Sequence, residues 1–334
     1  MKLSRSAALA LAGALLATTS AQAEPVKLRA AWVATAGEMA VLMAFKTDVA
    51  KHWNKSYSLE AIHLQGTPSM ITALAANEIE LAPLAYSTLG LAIVNAHMDD
   101  LRIIADDFRD GTPGWYSFEF MVLNDGPVKT IADLKGKTLA TNSIGAGPDI
   151  AMEYMLFKNH FTRPKDFTVI EAAFPNMNSL LLERKVDLIS DLTPFALDPK
   201  LRAAASDLFT QRAAVGGETQ MIWVAHGAFL QKNRAAVVDF LEDYLRIMQW
   251  YFDPPNRPAM VKIVSDFTKV PLAIIDKSIF NQNDFYRDPK GLPNIQALQA
   301  NVDMAQTMGV LKQHLAVAKY ADLSYIQAAA KRLE

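Results

Sequence analysis

Residues 58–85 read SLEAIHLQGTPSMITALAANEIELAPLA, and this stretch decides the fold class. Ser58–Leu64 reads as a strand, and Gln65-Gly66-Thr67-Pro68 ends it. Thr67 is a good helix cap and Pro68 suits a first helical position, so a helix over Ser69–Asn77 is expected. Ile79–Ala85 follows as a second strand. A strand, helix and strand in this order mark an α/β fold with mostly parallel strands.

The same alternation extends in both directions. Upstream, Lys27–Ala34 (KLRAAWVA) is a strand leading into a helix near Glu38–Trp53. Downstream come a helix near Thr88–His97 and a strand at Leu101–Phe108. Arg109–Tyr116 (RDGTPGWY) is rich in Gly, Pro and polar residues and reads as a crossing loop. A second unit then begins, with strands at Phe118–Leu123, Thr138–Asn142, Phe167–Ala173 and Val186–Leu192. Helices are expected between them at Ile131–Leu134, Pro148–His160 and Asn178–Lys185. Thr210–Gly217 reads as a return linker, Gln220–Ala225 as a strand, and everything later as helical. Lys232–Phe252 is a long helix stopped by Pro254 and Pro255, since proline cannot continue a helix. Asn294–Leu311 carries Ile295, Leu298, Val302, Ala305 and Met308 on one stripe. This last third supplies only one strand, so its helices need the first unit to pack on. The expected organisation is a discontinuous first lobe, 24–112 with 218–334, and an inserted second lobe, 113–217.

Composition narrows the function classes. The 334 residues carry 33 Lys+Arg against 35 Asp+Glu, which argues against a nucleic-acid partner. There is no cysteine, which excludes disulfides, thiolate catalysis, zinc–thiolate and iron–sulfur sites, and a lipid-anchored N-terminal cysteine. The chain opens with Lys2 and Arg5, runs apolar or small from Ala7 to Ala17, and reaches Ala21-Gln22-Ala23 before Glu24. That is the pattern of a secretory signal cleaved after Ala23. Its apolar stretch is well short of the roughly 20 residues needed to span a bilayer. An exported, periplasmic protein without stable membrane insertion is expected.

Four segments carry a family resemblance. Ile71–Ala82 (ITALAANEIELA), Ile131–Ala140 (IADLKGKTLA), Leu182–Leu188 (LERKVDL) and Phe229–Asn233 (FLQKN) resemble, in order, segments of periplasmic solute-binding proteins of ABC transporters. The nitrate/sulfonate/taurine group, with its thiamine-precursor relatives, is most similar. Two positions depart from its pattern: Asn77 stands where a glycine is usual, and Asn142–Gly147 (NSIGAG) replaces Gly-Ser followed by a histidine. The resemblance implies a two-lobed type II periplasmic binding fold with a ligand cleft between the lobes. It also implies a permease partner and a monomer.

In open α/β sheets ligands sit outside the carboxyl ends of the strands. That rule nominates Thr35, Gly37 and Glu38 after the first strand, Gln65, Gly66 and Thr67 after the second, and Tyr86 and Ser87 after the third. In the second lobe it nominates Asn142, Ser143, Gly145, Ala146 and Gly147, whose glycine-rich entry to a helix is the best anion-receptor candidate. Asp191 and Thr193 follow the last parallel strand, with Asn176 and Asn178 as weaker candidates. Trp115 and Tyr116 at the crossing either stack on a ligand or pack the hinge, and Arg109 either pairs with an anion or is solvated. The six histidines show no metal-ligand spacing, and neither a Gly-x-Ser-x-Gly elbow nor a Walker loop occurs. No cofactor, metal or catalytic residue is expected. The expected ligand is a small organic anion or zwitterion: a sulfonate, a taurine-like molecule or a carboxylate. A thiamine-precursor pyrimidine or other uncharged heterocycle, a sensory role and an enzyme on the same scaffold remain as alternatives.

Overall fold

The computed structural model describes residues 24–33 and 38–334, so the expected signal at 1–23 lies outside the described residues. Among the described residues ten strands are formed: β1 (Val26–Trp32), β2 (Tyr57–His63), β3 (Ala82–Ala85), β4 (Leu101–Asp110), β5 (Glu119–Leu123), β6 (Thr138–Thr141), β7 (Thr168–Glu171), β8 (Leu188–Asp191), β9 (Ala205–Thr210) and β10 (Thr219–His226). They build two lobes of the same design. In lobe 1, β1 pairs with β2 in parallel, and a parallel bridge from Ala30 to Leu81 joins β1 to the approach of β3. β10 lies between β3 and β4, antiparallel to both. In lobe 2 the order is β7-β6-β8-β5-β9, with β5 the reversed strand.

The reversed strand of each lobe is the one that has just crossed from the other. A chain leaving one lobe at the carboxyl end of a strand enters its partner at the cleft and must run away from it. All other strands therefore point their carboxyl ends at the cleft, where α/β ligands bind.

Three expectations change. The strand β9 falls in a stretch, ASDLFT, too weakly patterned to be read; its partner, the edge of β5, supplies the pairing. The helix expected over Glu38–Trp53 stops at Met43. The carboxylate of Asp243 takes the amides of Lys51 and His52 at 2.8 Å each and the Tyr57 hydroxyl at 3.0 Å, so those amides are not left for a helical ladder. The return linker contains a short helix, Gln211–Val215, capped by Thr210. Elsewhere the expected elements appear with shifted ends, and the helix expected from Lys232 begins at Arg234.

The Gly-to-Asn departure at Asn77 has a clear cost and remedy. Its φ of 54° is left-handed, which asparagine tolerates better than most residues, and its carbonyl accepts from Arg29 at 2.6 Å.

Two apolar clusters form the core. One lies behind lobe 1, where the helix Arg234–Phe252 buries Phe240, Tyr244 and Tyr251 near Leu28, Tyr57 and Trp223. The other continues from lobe 1 residues such as Met70 and Leu84 into lobe 2 residues such as Phe120 and Ile189. The lobes are closed on each other. Among the described residues no helix is long and apolar enough to cross a membrane.

Candidate functional site

The cleft is shut by groups at the carboxyl ends of β2 and β6. Gln65 donates its side-chain amide to the carbonyl of Asn142, and Asn142 donates its own to the carbonyl of Gln65, both at 3.3 Å. Gly66 packs against Ser143 so closely that an added Cβ would lie 2.9 Å from its Oγ and nearer still to its Cβ. The Ser87 hydroxyl donates to the Gly145 carbonyl at 3.4 Å. Gln65, Gly66, Ser87, Ser143 and Gly145 thus serve lobe-to-lobe contact.

Beside this seam lies a cavity lined from both lobes. Glu38, Thr67, Tyr86, Asn142, Ala146 and Gly147, all expected cleft residues, line it. Glu38 is buried and accepts from the Val33 amide at 2.8 Å. The remaining expectations fall elsewhere. Thr35 and Gly37 lie outside the described residues. Asp191 is buried beside Glu119, its register partner on β5, and accepts from the Leu192 amide at 2.9 Å. Thr193 donates to the Ser278 carbonyl at 3.2 Å. Trp115 rests edge-on against Tyr286 with ring centroids 5.4 Å apart, and Tyr116 packs against Phe285. Arg109 is held by Asp106 at 3.0 Å and by the Leu292 carbonyl, and it does not line the cavity. Asn176 is exposed, and Asn178 donates to the Phe195 carbonyl at 3.0 Å.

The loop expected to receive an anion holds carboxylates of its own chain. The Ile144 amide donates to Glu171 at 2.6 Å and the Gly145 amide to Asp149 at 2.8 Å, while the Ala146 amide donates to the Ser143 carbonyl at 3.2 Å. Asp149 is in turn paired with Arg163 at 2.5 Å.

Sequence reasoning missed much of the lining. Phe108 and Asp110 alternate on β4, so they share a face; Thr219 and Met221 do the same on β10. The register places Thr219 beside Asp110 and Met221 beside Phe108, forming one patch of four. Nothing local announces it, because the partner strands are more than a hundred residues apart in the chain. Phe118, Phe174, Leu192, Gln211 and Phe285 complete the largely apolar wall.

Polar groups interrupt that wall at a few points, as in small-molecule sites generally. Among the described residues, four lining side chains carry a buried polar atom without a hydrogen-bond partner: Tyr86 Oη, Asn142 Oδ1, Gln211 Oε1 and Thr219 Oγ1. Unsatisfied buried polar atoms are costly, so four on residues around one cavity need an explanation. The Asp110 carboxyl accepts from the Ser117 hydroxyl at 2.7 Å and the Phe118 amide at 2.6 Å. Burial nevertheless pushes its pKa up to about 7, against the lowering effect of those two bonds.

A metal-ligand type of cluster, His52 with Asp239 and Glu242, forms behind lobe 1. Its carboxylates already meet Arg332 at 2.6 Å and Arg246 at 2.5 Å, so it works as an ion-pair network joining the helix Arg234–Phe252 to the C-terminal helix.

Comparison with known proteins agrees with this geometry. No curated protein sequence matches the chain significantly. Residues 116–257 match the family described as NMT1/THI5 like. The alkanesulfonate-binding protein SsuA from Xanthomonas axonopodis pv. citri, solved with MOPS bound, superposes with a TM-score of 0.69 at 17% identity, covering 90% of this chain and 99% of that one. The periplasmic nitrate-binding protein NrtA from Synechocystis PCC 6803 gives 0.71 at 15% identity, covering 93% and 90%. The desulfurization enzyme DSZB gives 0.65 at 12% identity, covering 92% and 100%, so the architecture also occurs in an enzyme. The chain has the two-lobed fold of the periplasmic sulfonate- and nitrate-binding proteins of ABC importers, and its residues 116–257 match the NMT1/THI5 like family.

Proposed function

We propose that this chain is the periplasmic substrate-binding component of an ABC importer, taking up a small molecule by closure of its two lobes. The observation that carries this reading is the interlobe cavity lined from both lobes, four of whose lining side chains hold a buried polar atom without a partner. Ligand contacts drawn from both lobes exist together only in the closed form, so binding shifts the population toward it. A permease then distinguishes loaded from empty protein by shape. In this reading residues 24–112 and 218–334 make lobe 1, residues 113–217 make lobe 2, Ala23 precedes the cleavage point, and the mature chain acts as a monomer without a cofactor. Glu38, Thr67, Tyr86, Asn142, Ala146 and Gly147 contact the ligand, and Gln65, Gly66, Ser87, Ser143 and Gly145 report closure.

The test is a thermal-shift and calorimetric screen of the chain from Glu24 onward against small sulfonates, carboxylates, amines, alcohols and heterocycles. A ligand at 100 times its dissociation constant adds about 2.7 kcal/mol to stability. One chemical class raising the melting temperature supports a binding protein. No shift from any class defeats the reading.

A second reading, an enzyme on this scaffold, draws on Asp110, a carboxyl titrating near 7 in the same cavity as Glu38. Recovery of the bound molecule unchanged after prolonged incubation, read by mass spectrometry, excludes it.

A further inference from the structure

We infer that the interlobe cavity takes a protonated amine carrying an apolar, ring-sized body. This rests on the ligand-capture reading above and names the class of ligand. The lining contains two acidic side chains, Glu38 and Asp110, and no Lys, Arg or His among the described residues. The arginine nearest in sequence, Arg109, is committed to Asp106 and to the Leu292 carbonyl, with Asp288 at 3.7 Å and Glu218 at 4.0 Å. Arg287, over the Phe108 ring at 5.9 Å, is paired with Asp284, so an oxyanion would meet no cationic side chain on the wall itself.

The hydrogen-bonding character of the wall points the same way. Asn142 donates its side-chain amide to Gln65, and its Oδ1, an acceptor, is buried without a partner. Gln211 Oε1, also an acceptor, is buried without a partner on a second lining residue. Tyr86 and Thr219 offer hydroxyls that both donate and accept. Two acidic side chains, two amide oxygens and two hydroxyls suit a donor-rich ligand, and an ammonium brings three N–H groups and a charge that favours the ionised acids. The loop amides that would have served an anion at residues 144–146 are already bonded within the chain.

The apolar wall adds a third argument. Phe108 and Phe285 stack with centroids 4.6 Å apart on the lobe 1 side, and Phe118 and Phe174 meet at 5.8 Å on the lobe 2 side. All four rings line the cavity. Aromatic faces attract cations, and they pack well on a flat apolar body.

Isothermal titration with matched series tests this. Benzylamine and 2-phenylethylamine are compared with the corresponding alcohols, carboxylates and sulfonates, on the same chain from Glu24 onward. The amines should bind about tenfold or more tighter than the matched carboxylates and sulfonates. Asp110→Asn should shrink the amine-over-alcohol ratio about tenfold. If that variant does not fold, Phe174→Leu, which removes a ring but keeps an apolar side chain, should shrink the same ratio several-fold. Tighter binding of sulfonates or carboxylates overturns this inference and leaves the capture function standing. Equal ratios in wild type and variants also overturn it. Absence of binding in every series overturns both.

Discussion

Gln65 and Asn142 exchange hydrogen bonds across the cleft, each side-chain amide donating to the other residue's backbone carbonyl at 3.3 Å. One residue follows β2 in lobe 1 and the other follows β6 in lobe 2, so this pair exists only when the lobes are together. It reports closure without touching the apolar core of either lobe.

Replacing Gln65 or Asn142 by alanine should therefore weaken capture more than it weakens the fold. Each bond contributes about 0.5–1.5 kcal/mol net, so Gln65→Ala should raise the dissociation constant roughly two- to tenfold. Asn142→Ala should cost more, because Asn142 also lines the cavity. Small-angle scattering of the unliganded Gln65→Ala protein should show a larger radius of gyration than wild type. An unchanged radius and affinity would show that the pair does not hold the lobes.

Gly66 gives a sharper test of the same seam. Its φ of −166° is extended backbone that any residue adopts, so alanine is not strained there. The added Cβ would instead overlap Ser143 of the opposite lobe. Gly66→Ala should fold with its unliganded melting temperature within a few degrees of wild type. Its affinity should fall by about tenfold or more, because the closed state is depopulated. A variant with wild-type affinity would mean that the lobes close differently.

The lobe 2 carboxylates set a stability prediction. Glu119 sits opposite Asp191 on β5 and β8, and Arg202 meets both Glu119 oxygens at 2.5 and 2.6 Å. Removing the guanidinium leaves two buried carboxyls without their cation. Arg202→Ala should lose on the order of 3 kcal/mol at neutral pH, as for broken buried ion pairs. Glu119→Gln in the Arg202→Ala background should recover part of it. Chemical denaturation of the three variants measures both.

Acidity should act on this protein in an unusual direction. Burial pushes Asp106 up to about 8 and Asp110 up to about 7. Each holds its proton in the native chain over a range where the unfolded chain has already released it. The native state then binds more protons, and stability falls as pH rises from the unfolded value through the folded one. Groups shifted down, such as Glu242 and Asp133, titrate below this window. Calorimetry should find the protein more stable at pH 6 than at pH 8, by roughly 1 kcal/mol or more per group. A flat or rising profile between those values would contradict the burial of these carboxyls in the folded chain.

The sequence by itself determined the alternation of strands and helices, the two crossings and the ends of β2, β3 and β6 where ligands gather. Those features are local: Thr67-Pro68 starts a helix and Asn142–Gly147 turns a strand into one, whatever lies opposite. The same locality misled at 38–53, where an apolar pattern reads as a helix but Asp243, almost two hundred residues away, claims its amides. It also overrated the loop at 144–146, since only the folded chain brings Glu171 and Asp149 to those amides. Tertiary structure alone decided what the cavity is made of. Asp110 becomes a wall residue because β10 returns from the other lobe and sets Thr219 beside it. Strand pairing of that kind is chosen by the packing of whole sheets, and no residue carries it in its own sequence neighbourhood.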